Sequence, residues 1–255
     1  MGNFINYMSP TRRKAAFTLK DILNNYRTID LILDSAQITK RTDRESSFCA
    51  YGDFKRYEFT LPLEEEPECC FGESDTGGMV YTKEGYGLWI PEYASKIVYF
   101  HTHPSFTTAI PSTEDLEFQL GVISKNWDGS PYHFFNPVSI VGHYTSVDKT
   151  VRLFIGQFVL PTEKTSWERW KIMNQDLPAR LDSLVRQQIG DQHLEFDFSD
   201  LELPEKAARV LNSTGRYAAQ TLSFPINKEF EYWDKVENWK GFPLLALPFT
   251  YQLKE

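Results

Sequence analysis

The sequence predicts an α/β protein, a sheet of short strands flanked by helices, with further helical segments at both ends. Three observations lead there. Between residues 54 and 156, alternating runs rich in β-branched and aromatic residues recur, separated by glycine and charged turns. From Ser112 onward one stretch in their midst carries apolar residues at helical spacing instead. Both ends of the chain repeat apolar residues every three or four positions, as amphipathic helices do.

Residues 8–35 open on Ser9-Pro10-Thr11, a helix-start signal, and Phe17, Leu19, Ile22, Leu23 and Tyr26 then mark one face, predicting a helix or two. Residues 36–47 are polar and charged and read as a boundary. Strands are predicted at 54–63, 77–82, 86–90 and 96–103, with Lys83-Glu84-Gly85 as a hairpin turn. Ser112 is placed to cap a helix running to Lys125, since Leu116, Leu120 and Ile123 share a face. A loop at 126–131 follows, then strands at 138–142 and 151–156. Ser166 starts a strongly periodic helix through Trp167, Trp170, Met173, Leu177, Leu181, Leu184 and Val185, kinked at Pro178. Leu203 to Leu211 reads as another helix, and a tail with Trp233 and Trp239 closes the chain. The implied division is an N-terminal helical extension at 1–47, a core at 48–160 and a helical, aromatic extension at 161–255.

Chemistry concentrates in His101-Thr102-His103-Pro104 and the Ser112-Thr113-Glu114-Asp115 that follows. Side chains two apart on a strand point the same way, so His101 and His103 present two imidazoles on one face. Asp115 falls in the first turn of the next helix, where its carboxylate is able to point back at the strand end. Two histidines and one carboxylate give a zinc ion three ligands and one open position, the arrangement of a catalytic rather than a structural site. The same residues also make an ordinary capping box, and His-x-His pairs occur without metal.

At these residues the chain resembles the JAMM (also called MPN or JAB) metalloprotease family, whose motif is an upstream Glu, then His-x-His-Pro, then Ser-x-x-Asp. The likeness spans residues 72–158. It implies a mixed β-sheet core flanked by helices, Zn2+ held by His101, His103 and Asp115, and Ser112 as a stabiliser of the tetrahedral intermediate. Eleven residues separate His103 from Asp115, one more than is usual in the family. Strict counting would select Glu114, but that moves the ligand about 100° around the helix. A loop insertion at 106–110 is the smaller change.

The general base is less defined. In the family a Glu precedes a Gly-Gly-apolar run, and Gly77-Gly78-Met79 offers Asp75 and Glu73 just upstream. Glu73 reaches one methylene further than Asp75, and Glu58 is a third candidate. The acidic run at 64–66 reads as a solvated loop.

The family's activity implies zinc-dependent hydrolysis of an amide or isopeptide bond in a protein substrate, at a ubiquitin-like C-terminus. Two alternatives stand beside it: a non-catalytic interaction module of the same fold, and a zinc hydrolase for another small amide. His133 and His143 match no ligand position of the family and read as structural.

At 255 residues, with 41% hydrophobic and 24% charged content, the chain has the composition of a globular protein with a sizeable core. A formal charge of −8 argues against nucleic acid as the main partner. Cys49, Cys69 and Cys70 form no CxxC and read as reduced thiols suited to the cytosol. The apolar stretch at 241–249 is too short for a membrane span and holds two prolines; Asn6 stands where a myristoylation signal needs Ser or Thr.

Overall fold

Alternation along β6 (Lys96–Thr102) divides the molecule into two layers. Val98 and Phe100 point to one face of the sheet and pack with α1 (Tyr26–Thr42). Tyr99 points to the other face, where its ring meets Phe118 of α2 (Thr113–Gly129) edge-on at 5.3 Å. The structure is a computed structural model that describes residues 26–52, 57–59, 63–64, 78–82, 85–89, 96–104, 108–129, 137–146, 149–161, 166–189 and 202–226.

The main sheet is mixed and has seven strands. Its order runs β2 (Tyr57–Phe59), β1 (Ser46–Gly52), β6, β7 (Val138–Thr145), β8 (Thr150–Phe158) and β9 (Tyr217–Pro225), with β3 (Leu63–Glu64) also on β1. Only β6 and β7 run parallel, and α2 makes the crossover that joins them. A separate hairpin pairs β4 (Gly78–Thr82) with β5 (Gly85–Trp89) around the predicted turn. The α/β class, the helix after Ser112 and the strands on either side of it follow the sequence pattern, although the helix continues past Lys125 to Gly129, into the expected loop.

Four features differ from the sequence reading, each for a local reason. Helix α1 runs to Thr42 through the supposed boundary, because Ile29, Ile32, Leu33, Ala36 and Thr39 form a buried stripe. Asp43 ends it in the left-handed region (φ 56°), its N–H donating to the Thr39 carbonyl at 2.7 Å. Strand β1 is central although Ser-Ser-Phe-Cys-Ala-Tyr-Gly carries little strand propensity; pairing on both sides overrides it. The periodic segment after Ser166 is two helices, α3 (Trp167–Met173) and α4 (Leu177–Ile189). Pro178 sits in the first turn of α4, where it is tolerated, and its ring excludes a continuous helix through Asn174.

The fourth is β9, which follows α5 (Leu203–Ser213) and lies against β8 from Phe158↔Tyr217 to Thr150↔Pro225. Residues from the C-terminal region therefore complete the sheet. With α2, α4 and α5 they form the second core, around Leu116, Ile123, Val141, Phe154, Phe158, Leu181, Leu211 and Tyr217.

Candidate metal centre

His101 lies near the end of β6 and faces the α2 side. His103 follows β6, steered by its N–H donating to the Gly142 carbonyl at 2.8 Å. Asp115 arrives from the first turn of α2. The three are buried, at 3%, 7% and 4% exposure, and they converge on one point. His101 Nε2 and His103 Nε2 are 3.2 Å apart. Asp115 Oδ1 is 3.0 Å from His101 Nε2, and its Oδ2 is 3.2 Å from His103 Nε2.

The capping of α2 aims Asp115. The Ser112 N–H donates to Asp115 Oδ2 at 2.7 Å, and the Asp115 N–H donates to Ser112 Oγ at 3.2 Å. This reciprocal box starts the helix and fixes the carboxylate in the same stroke. Ser112 Oγ accepts in that bond, so its own proton is left for another acceptor. Glu114, one position earlier, is exposed; the carboxylate at the site is Asp115.

The tautomer of His103 follows from its neighbour. Its Nδ1 is 2.8 Å from the Thr108 carbonyl, an oxygen that only accepts, so Nδ1 carries the proton. Nε2 is then left to direct a lone pair at a cation or, with an added proton, to donate to Asp115 Oδ2. Two imidazole nitrogens and a carboxylate converging this closely require positive charge between them, as protons or as a cation. Ligands bound to zinc at about 2.0–2.1 Å in a tetrahedron stand roughly 3.3 Å apart, close to the separations here. The donor set and the spacing fit a divalent ion. Burial raises the pKa of Asp115, but the charges of His101 and His103 and the hydrogen bonds from both outweigh it, holding the carboxyl well below the usual range.

Comparison with protein families, curated proteins and solved structures finds no match. The site therefore rests on its own geometry. Among the described residues it is the one group of His, Cys, Asp and Glu able to hold a metal.

A fourth polar group reaches it that the sequence reading did not select. Glu45, just before β1, places Oε1 4.0 Å from His103 Nε2, with 28% of its side chain exposed. Its signal was the register: β1 and β6 pair at Ser47↔His101, so continuing two residues sets Glu45 against His103. Strand β1 had to be recognised first. Of the residues considered as base, Glu73 and Asp75 lie outside the described residues. The backbone of Glu58 pairs with Tyr51, which in turn pairs with Ile97. That is two strands across and four residues along from His101, roughly 16 Å at ordinary strand spacing and rise.

His143 on β7 lies beside the cluster without joining it. Burial pushes its pKa down to about 4 despite its hydrogen bond to the His103 backbone, and the charges of His103 and Arg152 add to the lowering. It is neutral at pH 7. His133, Cys69 and Cys70 lie outside the described residues. Among the described residues no helix is long and apolar enough to cross a membrane.

Further contacts hold α2 in place. Thr113 Oγ1 donates to Asp182 of α4 at 2.8 Å, and Arg186 pairs with the same carboxylate at 2.8 Å. One turn beyond Asp115, Gln119 donates to the Pro137 and Gly156 carbonyls and accepts from the Tyr217 hydroxyl at 2.9 Å.

Proposed function

We propose that this chain is a zinc-dependent hydrolase of amide bonds, a JAMM-type peptidase or isopeptidase acting on a protein substrate at a ubiquitin-like C-terminus. The observation that carries the reading is the convergence of His101, His103 and Asp115, with Glu45 beside them. The substrate class comes from the resemblance around His101-Thr102-His103-Pro104 and Ser112-x-x-Asp115, and the fourth group strengthens it.

His101 Nε2, His103 Nε2 and the Asp115 carboxylate would hold the ion. When bound, zinc supplies Lewis acidity, which makes water a nucleophile near neutral pH. The remaining work falls to the protein. Glu45, 4.0 Å from His103 Nε2 and partly open to solvent, accepts the proton of the attacking water and delivers it to the leaving amine. Ser112 directs its free proton at the oxyanion that develops on the scissile carbonyl, a contact typically worth about 10²–10³ in rate. Burial of the three ligands keeps competing water from their lone pairs.

Elemental analysis of the purified full chain, combined with an assay on a ubiquitin-like isopeptide conjugate, tests this. The expected result is one zinc per chain and cleavage that Glu45→Gln abolishes. A metal-free wild type after zinc reconstitution, or a metal other than zinc supporting no hydrolysis, would overturn the proposal.

A further inference from the structure

The segment carrying Glu45 is held by an unusual rung. Strands β1 and β6 pair from Gly52↔Lys96 to Ser47↔His101 and then part, because β6 turns toward β7. The next rung, Ser46 against Thr102, is made by a side chain instead of the backbone. The Ser46 N–H donates to Thr102 Oγ1 at 3.0 Å, and the Thr102 hydroxyl reaches the Ser46 carbonyl at 3.2 Å. Thr39 meets the same oxygen from the α1 layer through its own hydroxyl.

A threonine hydroxyl has one proton and two lone pairs. Here all three are engaged: the proton with Ser46, one lone pair with the Ser46 N–H, the other with Thr39. Ser46, Thr102 and Thr39 are all buried. Burial shields these bonds from solvent, so the backbone N–H and carbonyl of Ser46 both depend on this one side chain.

Thr102 also stands between the two histidines. Its neighbours on β6 and beyond point into the metal centre while it points to the α1 layer. A shift of Thr102 is thus transmitted in two directions, toward the ligands and toward Glu45. The Ser46 peptide is bonded directly to Thr102, whereas His101 and His103 have their own anchors in the β1 and β7 pairings and at Thr108.

We propose that Thr102 is a positioning residue that clamps the Ser46 peptide and thereby holds the Glu45 carboxylate at the metal centre. This rests on the reading of Glu45 as proton acceptor given above. The ligand set and its acidic partner are, on this view, spaced by one hydroxyl.

The test uses the full chain loaded with zinc, as wild type, Thr102→Val and Thr102→Ser. Three quantities are read: zinc per chain, the Glu45–His103 separation in crystal structures, and turnover of a ubiquitin C-terminal coumarin amide. Both variants are expected to keep zinc. Thr102→Ser keeps the hydroxyl, and with it the Glu45 position and turnover. Thr102→Val is expected to displace Glu45 and lower kcat about 10–100-fold with KM unchanged, as loss of a supporting contact typically does. Should the valine variant not fold, Thr102→Ala, which leaves room for water, is expected to show the same displacement. Glu45 in its wild-type position in the valine or alanine variant would overturn the proposal. So would zinc loss as complete as in His103→Ala, since Thr102 would then act on the ligands. Wild-type turnover in Glu45→Gln would instead remove the proton-acceptor reading, and a probe left uncleaved by the wild type would count against the function; in either case the displacement of Glu45 still decides the clamp.

Discussion

Glu45 and His103 stand opposite each other where β1 and β6 part, with Glu45 Oε1 4.0 Å from His103 Nε2. Glu45 is not one of the three groups that converge on one point, yet its carboxylate stands near enough to take a proton beside them.

Glu45→Gln is therefore expected to keep the metal and lose turnover, by about 10²–10⁴-fold if it is the general base. The amide preserves shape and removes only proton affinity. Glu73→Gln and Asp75→Asn are the comparison variants, measured with the same isopeptide probe and the same zinc analysis. An inactive Glu73 or Asp75 variant beside an active Glu45→Gln would move the base out of this position.

The metal ligands predict a second contrast. Asp115→Ala removes both an anionic ligand and half of the capping box, whereas exposed Glu114→Gln touches neither. Zinc titration against a chromophoric chelator should show a large loss of affinity for the first and none for the second. Because a ligand bound only by the native state stabilises it by mass action, about 4 kcal/mol at a thousandfold excess over Kd, chelation should lower Tm by roughly 10 °C. An unchanged Tm on chelation would mean that the cluster is held by protons rather than by metal.

The ligands were legible because their signal is local. Residues two apart on a strand and a capping box four residues long need no knowledge of the rest of the fold. Glu45 was not legible for the opposite reason. Its position depends on β1, whose serines and glycine look like a loop, and on a register that only pairing with β6 fixes. Strand β9 escaped similarly: its alanines and polar residues carry weak propensity, and it becomes a strand because β8 offers an edge. Pro178 was visible, but whether it bends a helix or begins a new one was set by the turn at Asn174, whose side chain donates to the Trp170 carbonyl at 2.6 Å.

His143 gives a pH dependence with a definite sign. Its pKa falls from an ordinary 6.5 to about 4 on folding, so the unfolded chain binds a proton that the native state refuses. Its contribution is complete above pH 6.5, shrinks as pH falls, and is gone below about pH 4. At about 1.4 kcal/mol for each tenfold difference in proton affinity, the loss approaches roughly 3 kcal/mol. Asp115, held low by the histidines, loses its contribution only in more acid solution. Urea denaturation of metal-free wild type and His143→Gln between pH 7.5 and 4 isolates the effect. The wild-type curve should fall more steeply; parallel curves would show that His143 does not titrate with folding.

The last prediction concerns the support that the C-terminal region lends to α2. The Tyr217 ring lies over Gly156, where an added Cβ would come within 2.3 Å of a ring carbon. Its hydroxyl, whose pKa burial and Asp115 push above the ordinary value, donates to Gln119 Oε1. Gly156→Ala must displace the ring, and overpacking of this kind typically costs about 1–3 kcal/mol. Tyr217→Phe keeps the ring and leaves the buried Gln119 oxygen without that donor, again at about 1–3 kcal/mol. The two losses should be less than additive in the double variant, because a displaced ring has already broken the hydrogen bond. Guanidinium denaturation of the two single variants and the double one measures this. Full additivity would mean that the glycine gap and the Tyr217–Gln119 bond act separately rather than as one support beneath the helix that carries Asp115.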